Sequence, residues 1–151
     1  MLKTFNFNKM PIVDVVNEII IDAINNGASD IHFDPSEDML RVRVRIDGVL
    51  QNYSSIPNSY KNNLITRIKI LASMNITETR LSQDGAIKSV LKGINLDLRV
   101  SCLPTKRGEK IVIRILDYSM SLRGIEYLYF NESNYQKILK MLAAPYGIIL
   151  V

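Results

Sequence analysis

From Ile12 onward apolar residues return at helical spacing: Ile12, Val13, Val16, Ile19, Ile20 and Ile24. That recurrence marks one buried helix face. Pro11 opens the stretch where a missing N–H is harmless, and Asn25-Asn26-Gly27 is a left-handed ending. The spacing predicts a helix over 12–25, preceded by a loose tail at 1–10. The period then falls to two. In "SDIHFDP", Ile31 and Phe33 alternate with Asp30, His32 and Asp34, and Val42, Val44 and Ile46 alternate with Arg41, Arg43 and Arg45. Asp47-Gly48 is a two-residue hairpin signal, so strands are expected at about 40–46 and 49–54.

Helical spacing resumes over 58–75 through Leu64, Ile65, Ile68, Leu71 and Ala72. Arg67 and Lys69 read as its solvent face. Asp84-Gly85 and Lys92-Gly93 are turn signals around a strand near 86–91, and residues 97–116 supply two more strands. Beyond Tyr118 the character changes. Asn131 or Ser133 is placed to cap a helix bearing Tyr135, Ile138, Leu139 and Leu142, which Pro145 stops. "GIILV" reads as a short strand buried on both faces. Such a strand needs crossover neighbours, so 119–151 reads as a linker and the start of a second, truncated domain.

In the stretch "DLRVSCLPTKRGEKIVIRIL" a turn at Thr105-Lys106-Arg107-Gly108 opposes Cys102 to Ile111, Val100 to Ile113 and Leu98 to Ile115. One clean apolar face fixes a register. The same register sets Arg99 opposite Arg114 on the other face, where like charges repel. Two explanations stand. The guanidiniums reach apart into solvent, with Asp97 neutralising one. Or they form a clamp for an anion, since two forked donors on a rigid strand pair suit a phosphate. The chain offers no phosphate loop of its own.

Composition narrows the function classes. Of 151 residues, 47% are hydrophobic and 23% charged, as in a globular chain rather than a disordered one. The net charge of +4 permits anionic partners without demanding nucleic acid. The basic stripe Arg41–Arg43–Arg45 lacks the interleaved aromatics of a nucleic-acid surface; it reads as a solvated or ion-paired face, or as a contact with an acidic neighbouring subunit or a phosphate-bearing ligand. The single cysteine, Cys102, reads as core, and the single histidine, His32, as a surface or interface residue. Together they exclude an internal disulfide and a Cys/His metal cage. Asp30, Asp34, Glu37 and Asp38 match no calcium loop. No apolar run approaches the roughly 18 residues of a membrane span, and the chain reads as cytoplasmic. Neither a nucleophile–base pair nor a paired-carboxylate site stands out.

Four stretches occur in order: "GASDIHFDPSEDMLRVRVRIDGVL", "TRIKILASMNITETRLSQDG", "DLRVSCLPTKRGEKIVIRILD" and "APYGIILV". Together, over residues 11–151, they resemble the N-terminal region of the type II secretion and type IV pilus assembly ATPases. The resemblance implies an α/β (α+β) fold: a PAS-like N-terminal domain at 11–118, then the first helix and strand of a RecA-like domain at 119–151. It implies hexameric rings that use ATP and Mg2+, work with inner-membrane assembly-platform proteins, and sit at the inner face of the cytoplasmic membrane. In that family the Walker A and Walker B motifs lie past the strand matching "GIILV", so these 151 residues are not expected to hydrolyse ATP alone. The family's N-terminal arginines reach ATP phosphates. By motif they fall on Arg99 and Arg114, the pair the register had opposed. Arg41, Arg43, Arg45 and Arg67 are the weaker candidates for subunit contacts. One departure is local: where the family reads Leu-Pro-Gln-Asp-Gly-Arg, this chain has Leu81-Ser82-Gln83-Asp84-Gly85-Ala86. The rival expectations are a stand-alone interaction module derived from the family, and a ligand-sensing PAS-like domain.

Overall fold

The computed structural model describes residues 2–116 and 124–150. The chain divides into two units, Met1–Leu116 and Asp117–Val151. The expected boundary at residue 118 lies outside the described residues.

The first unit is built on one antiparallel sheet. Its strands are β1 (Ala28–Pro35), β2 (Met39–Ile46), β3 (Val49–Pro57), β4 (Gln83–Leu91), β5 (Ile94–Thr105) and β6 (Gly108–Ile115), in the order β3-β2-β1-β6-β5-β4. Helix α1 (Ile12–Asn25) and helix α2 (Asn58–Leu71) cover one face. The two-residue periods explain why. Ile31, Phe33, Leu40, Val42, Leu98, Val100, Ile111 and Ile113 point to that face and are buried with Val16, Ile19 and Ile20 of α1 and Leu64 and Ile68 of α2. Asp47 and Gly48, and again Lys92 and Gly93, take positive φ, as tight two-residue hairpins require.

Three local expectations are corrected. Residues 3–10 are not a loose tail. Lys3 pairs in parallel with Ser54 at the β3 edge, and its ammonium bonds Asp22 and Glu18 of α1. Phe5, Phe7 and Met10 pack on the core. These contacts are distant in sequence, so periodicity does not reveal them. Second, Asp84-Gly85 is strand rather than turn. Gly85 lies opposite Val100 in β4–β5, and a Cβ there would stand 2.3 Å from the carbonyl oxygen of Ala72. The glycine serves a close backbone approach, not a bend. Third, α2 ends at Leu71 rather than near 75, and Ser73 has a φ of 57°.

The second unit contains a 3-10 turn (Ile125–Leu128) and helix α3 (Glu132–Leu142). Asn131 caps α3, its side chain accepting from the Asn134 amide at 2.9 Å. No strand forms over 147–150, where Ile148 is 87% and Leu150 91% exposed. A strand needs a neighbour for its amides and carbonyls, and no ladder among the described residues includes this segment.

Candidate functional site

Both helices lie on the apolar face of the sheet, which leaves the other face lined by the polar positions of the strands. The ladders align one row across that face: Arg45 of β2, Asp30 of β1, Arg114 of β6, Arg99 of β5 and Ala86 of β4. The expected register of the last hairpin holds throughout, with Arg99 opposite Arg114 and Cys102 opposite Ile111.

Asp30 is the centre of this row. It is 7% exposed. Its Oδ1 accepts from Arg114 Nε at 3.2 Å, and its Oδ2 accepts from the Ser29 hydroxyl at 2.8 Å and lies 3.3 Å from Arg45 Nε. A register shift between Ala28 and Asp30 brings the Ser29 hydroxyl to this position. Burial alone would raise the Asp30 carboxyl pKa. The Ser29 hydrogen bond and the Arg114 guanidinium outweigh it and hold the group below the ordinary carboxylate value. A second carboxylate repeats the arrangement four residues further along β1: Asp34 binds Arg43 of β2 at 2.7 Å and Lys110 of β6 at 2.9 Å.

Between the two acids lies His32. Both of its ring nitrogens are buried without a hydrogen-bond partner among the described residues. Burial pushes its pKa down, against the attraction of Asp34.

Among the described residues Arg99 has no ion pair, although it is exposed beside Arg114. It lines a recess of about 340 Å³ with Asp84, Gly85, Ala86, Val100 and Ser101. Ala86 lies opposite Arg99, so the row ends here on a methyl group. Arg114 spends Nε on Asp30, which leaves its two terminal nitrogens for another acceptor. Two guanidiniums, one unpaired and one half engaged, fit an anion with several oxygens. The same residues offer nothing to a metal: no group of three or more His, Cys, Asp or Glu suited to one occurs among the described residues.

The other candidates separate. Arg43 is tied to Asp34, and Arg45 to Asp30 and to the Gly48 carbonyl at 2.9 Å. Arg41 is exposed, and Arg67 keeps a buried Nε without a partner. Lys69 is not on a solvent face. It is 1% exposed and binds Glu109 at 2.6 Å and the Glu78 carbonyl at 2.7 Å. The sequence reading missed Asp30 as a partner of arginines. The available signal was the antiparallel pairing of "SDIHFDP" with "VIRIL", two segments some eighty residues apart.

The family model described as "Type II/IV secretion system protein" matches residues 6–151. The chain belongs to that family. It is 44% identical over 142 residues to the Type IV pilus assembly ATPase PilB of Pseudomonas aeruginosa, covering 93% of this chain and 25% of that one. It is 43% identical over 144 residues to the Type II secretion system protein E of Xanthomonas campestris, covering 95% and 25%. This member of the secretion family therefore spans about a quarter of the length of these relatives. In fold it is similar to the Legionella pneumophila ATPase DotB, with a TM-score of 0.52 at 14% identity over 74% of this chain and 32% of that one. It is similar also to the VirB11 ATPase of Brucella suis, with 0.50 at 12% identity over 90% and 38%. These likenesses support the α+β fold expected from sequence. No helix among the described residues is long and apolar enough to cross a membrane.

Proposed function

We propose that this chain provides the N-terminal domain of a hexameric secretion or pilus assembly ATPase, and that Arg99 and Arg114 hold phosphates of ATP bound elsewhere in the ring. One observation carries the reading: Arg99 stands opposite Arg114 with no counter-ion of its own among the described residues. A polyphosphate relieves that repulsion, so the pair favours the domain position in which the nucleotide is within reach. A ligand shifts a conformational equilibrium by its differential affinity for the two states, and here the arginines supply it. When bound, MgATP contributes the transferable phosphoryl group, with Mg2+ arriving on the nucleotide rather than on ligands of this chain. The arginines neutralise charge that grows during transfer.

Arg41 and Arg67 are the candidate contacts to a neighbouring subunit. Hydrolysis in the ring would then drive pilin or pseudopilin assembly against inner-membrane platform proteins, at the cytoplasmic face. The test is steady-state ATP turnover of the full-length ring carrying Arg99→Ala or Arg114→Ala. Each is expected to lose about tenfold or more, the scale of losing a transition-state donor. Wild-type turnover in both overturns the reading.

A further inference from the structure

The row that carries Arg114 and Arg99 holds a carboxylate next to Arg114, that of Asp30, and the division of its oxygens is informative. Oδ2 of Asp30 is held by Ser29 and Arg45, and Oδ1 by Arg114. Arg114 is the more exposed and less tethered partner: its side chain is 70% exposed, whereas that of Arg45 is 36% exposed and also tied to Gly48. Removing a sole partner from a buried carboxylate is strongly unfavourable. Here Arg114 can leave and the carboxylate still keeps a guanidinium and a hydroxyl.

We propose that Asp30 is the resident counter-ion of the arginine pair, a positioning residue that holds Arg114 beside Arg99 until a phosphate takes it over. The inference rests on the phosphate-clamp reading above and adds its regulation. Without Asp30, three guanidiniums (Arg45, Arg114 and Arg99) would follow one another across three strands and the intervening β1. With it, Arg114 is held at Nε and aimed along the row. An anion then competes with Asp30 for Arg114 and meets Arg99 uncontested. The carboxylate sets the threshold at which the clamp closes, so weak anions such as chloride or monovalent phosphate do not trigger it and a polyphosphate does.

The experiment titrates inorganic tripolyphosphate into the 151-residue chain at constant ionic strength, following arginine Nε–H resonances by NMR in the wild type and in Asp30→Asn and Arg99→Ala. In the wild type, Arg99 and Arg114 are expected to shift saturably, with Arg114 Nε–H leaving its carboxylate-bonded position. Asp30→Asn is expected to bind about fivefold more tightly, the scale for one unit charge about 4 Å from an anion at the dielectric of water. Arg99→Ala is expected to bind more weakly than the wild type. If both arginines respond but Asp30→Asn binds equally or less well, the counter-ion role falls and the clamp survives. If neither arginine shifts in the wild type or in Asp30→Asn, the clamp falls and the counter-ion role with it. Should Asp30→Asn fail to fold, the wild type alone decides: an Arg114 Nε–H unmoved while Arg99 saturates overturns the proposal.

Discussion

Arg99 of β5 stands directly opposite Arg114 of β6, and among the described residues only Arg114 of the two meets a carboxylate, that of Asp30. The two arginines therefore contribute differently to stability. Removing Arg99 relieves like-charge repulsion, which is worth about 0.2–1 kcal/mol in cross-strand pairs. Arg99→Ala is expected to leave urea stability unchanged or raise it by that amount. Arg114→Ala is expected to lower it. Loss of more than about 1 kcal/mol in Arg99→Ala would show that the side chain has a structural partner.

Lys69 and Glu109 form a buried ion pair between α2 and β6. Lys69→Met leaves the Glu109 carboxylate with the Cys102 thiol at 3.2 Å but no cation. Breaking a buried pair costs about 3–5 kcal/mol, whereas replacing both members by apolar residues costs far less. The double variant Lys69→Met/Glu109→Leu should then be more stable than Lys69→Met alone in chemical denaturation. Additive losses would exclude coupling between the two side chains.

At Gly85 the prediction is steric. An added Cβ meets the Ala72 carbonyl oxygen, which is backbone and cannot swing aside. Gly85→Ala is expected to lower stability by about 2 kcal/mol, in the range for overpacked sites. A variant within experimental error of the wild type would show that β4 moves freely away from the end of α2.

His32 gives a pH dependence. Asp30 and Asp34 on its own strand, Arg43 of β2 and Lys110 of β6 surround it, and Val112 is its partner on β6. Burial lowers its pKa in the folded chain below the ordinary 6.5. The unfolded chain then binds the proton more readily, so stability falls as the pH drops through 6.5 towards the folded value. His32→Gln should flatten that slope. Below it lies a second window. Burial opposes ionisation of Asp34, but Lys110 and Arg43 hold its pKa under the ordinary carboxylate value. Its contribution is present above about pH 4 and is lost as the pH falls through the folded pKa. Thermal unfolding of both chains between pH 8 and pH 3 separates the two; an equal slope near pH 6 in His32→Gln would remove the histidine from the account.

Cys102 is expected to be inert in the folded chain. Burial, together with its hydrogen bond to Glu109, pushes the thiol pKa up to about 12. A thiol kept protonated is a poor nucleophile. Iodoacetamide at pH 8 should label it slowly when native and fully in urea, and rapid native labelling would contradict the buried geometry.

Alternation and turn residues were enough to read most of this protein from its residues alone. The limits of α1, the hairpin at Asp47-Gly48 and the register opposing Arg99 to Arg114 follow from local rules: one face must bury its apolar side chains, and a slip of one residue would expose them all. The family was legible for the same reason, in four ordered motifs. What sequence could not supply was the order of strands. β1 sits between β2 and β6, and only that adjacency brings Asp30 to Arg114 across eighty-four positions of chain. Lys69 was misplaced because a lysine at helical spacing carries no mark of burial; its partners come from β6 and from the segment before β4. Asp84-Gly85 has turn chemistry locally, yet the approach of Ala72 gives the glycine a different task. Local pattern settled which side of each strand flanking the Arg99–Arg114 hairpin is buried. Tertiary structure decided which charges meet on the other side, because those pairings join strands that no short window of sequence contains.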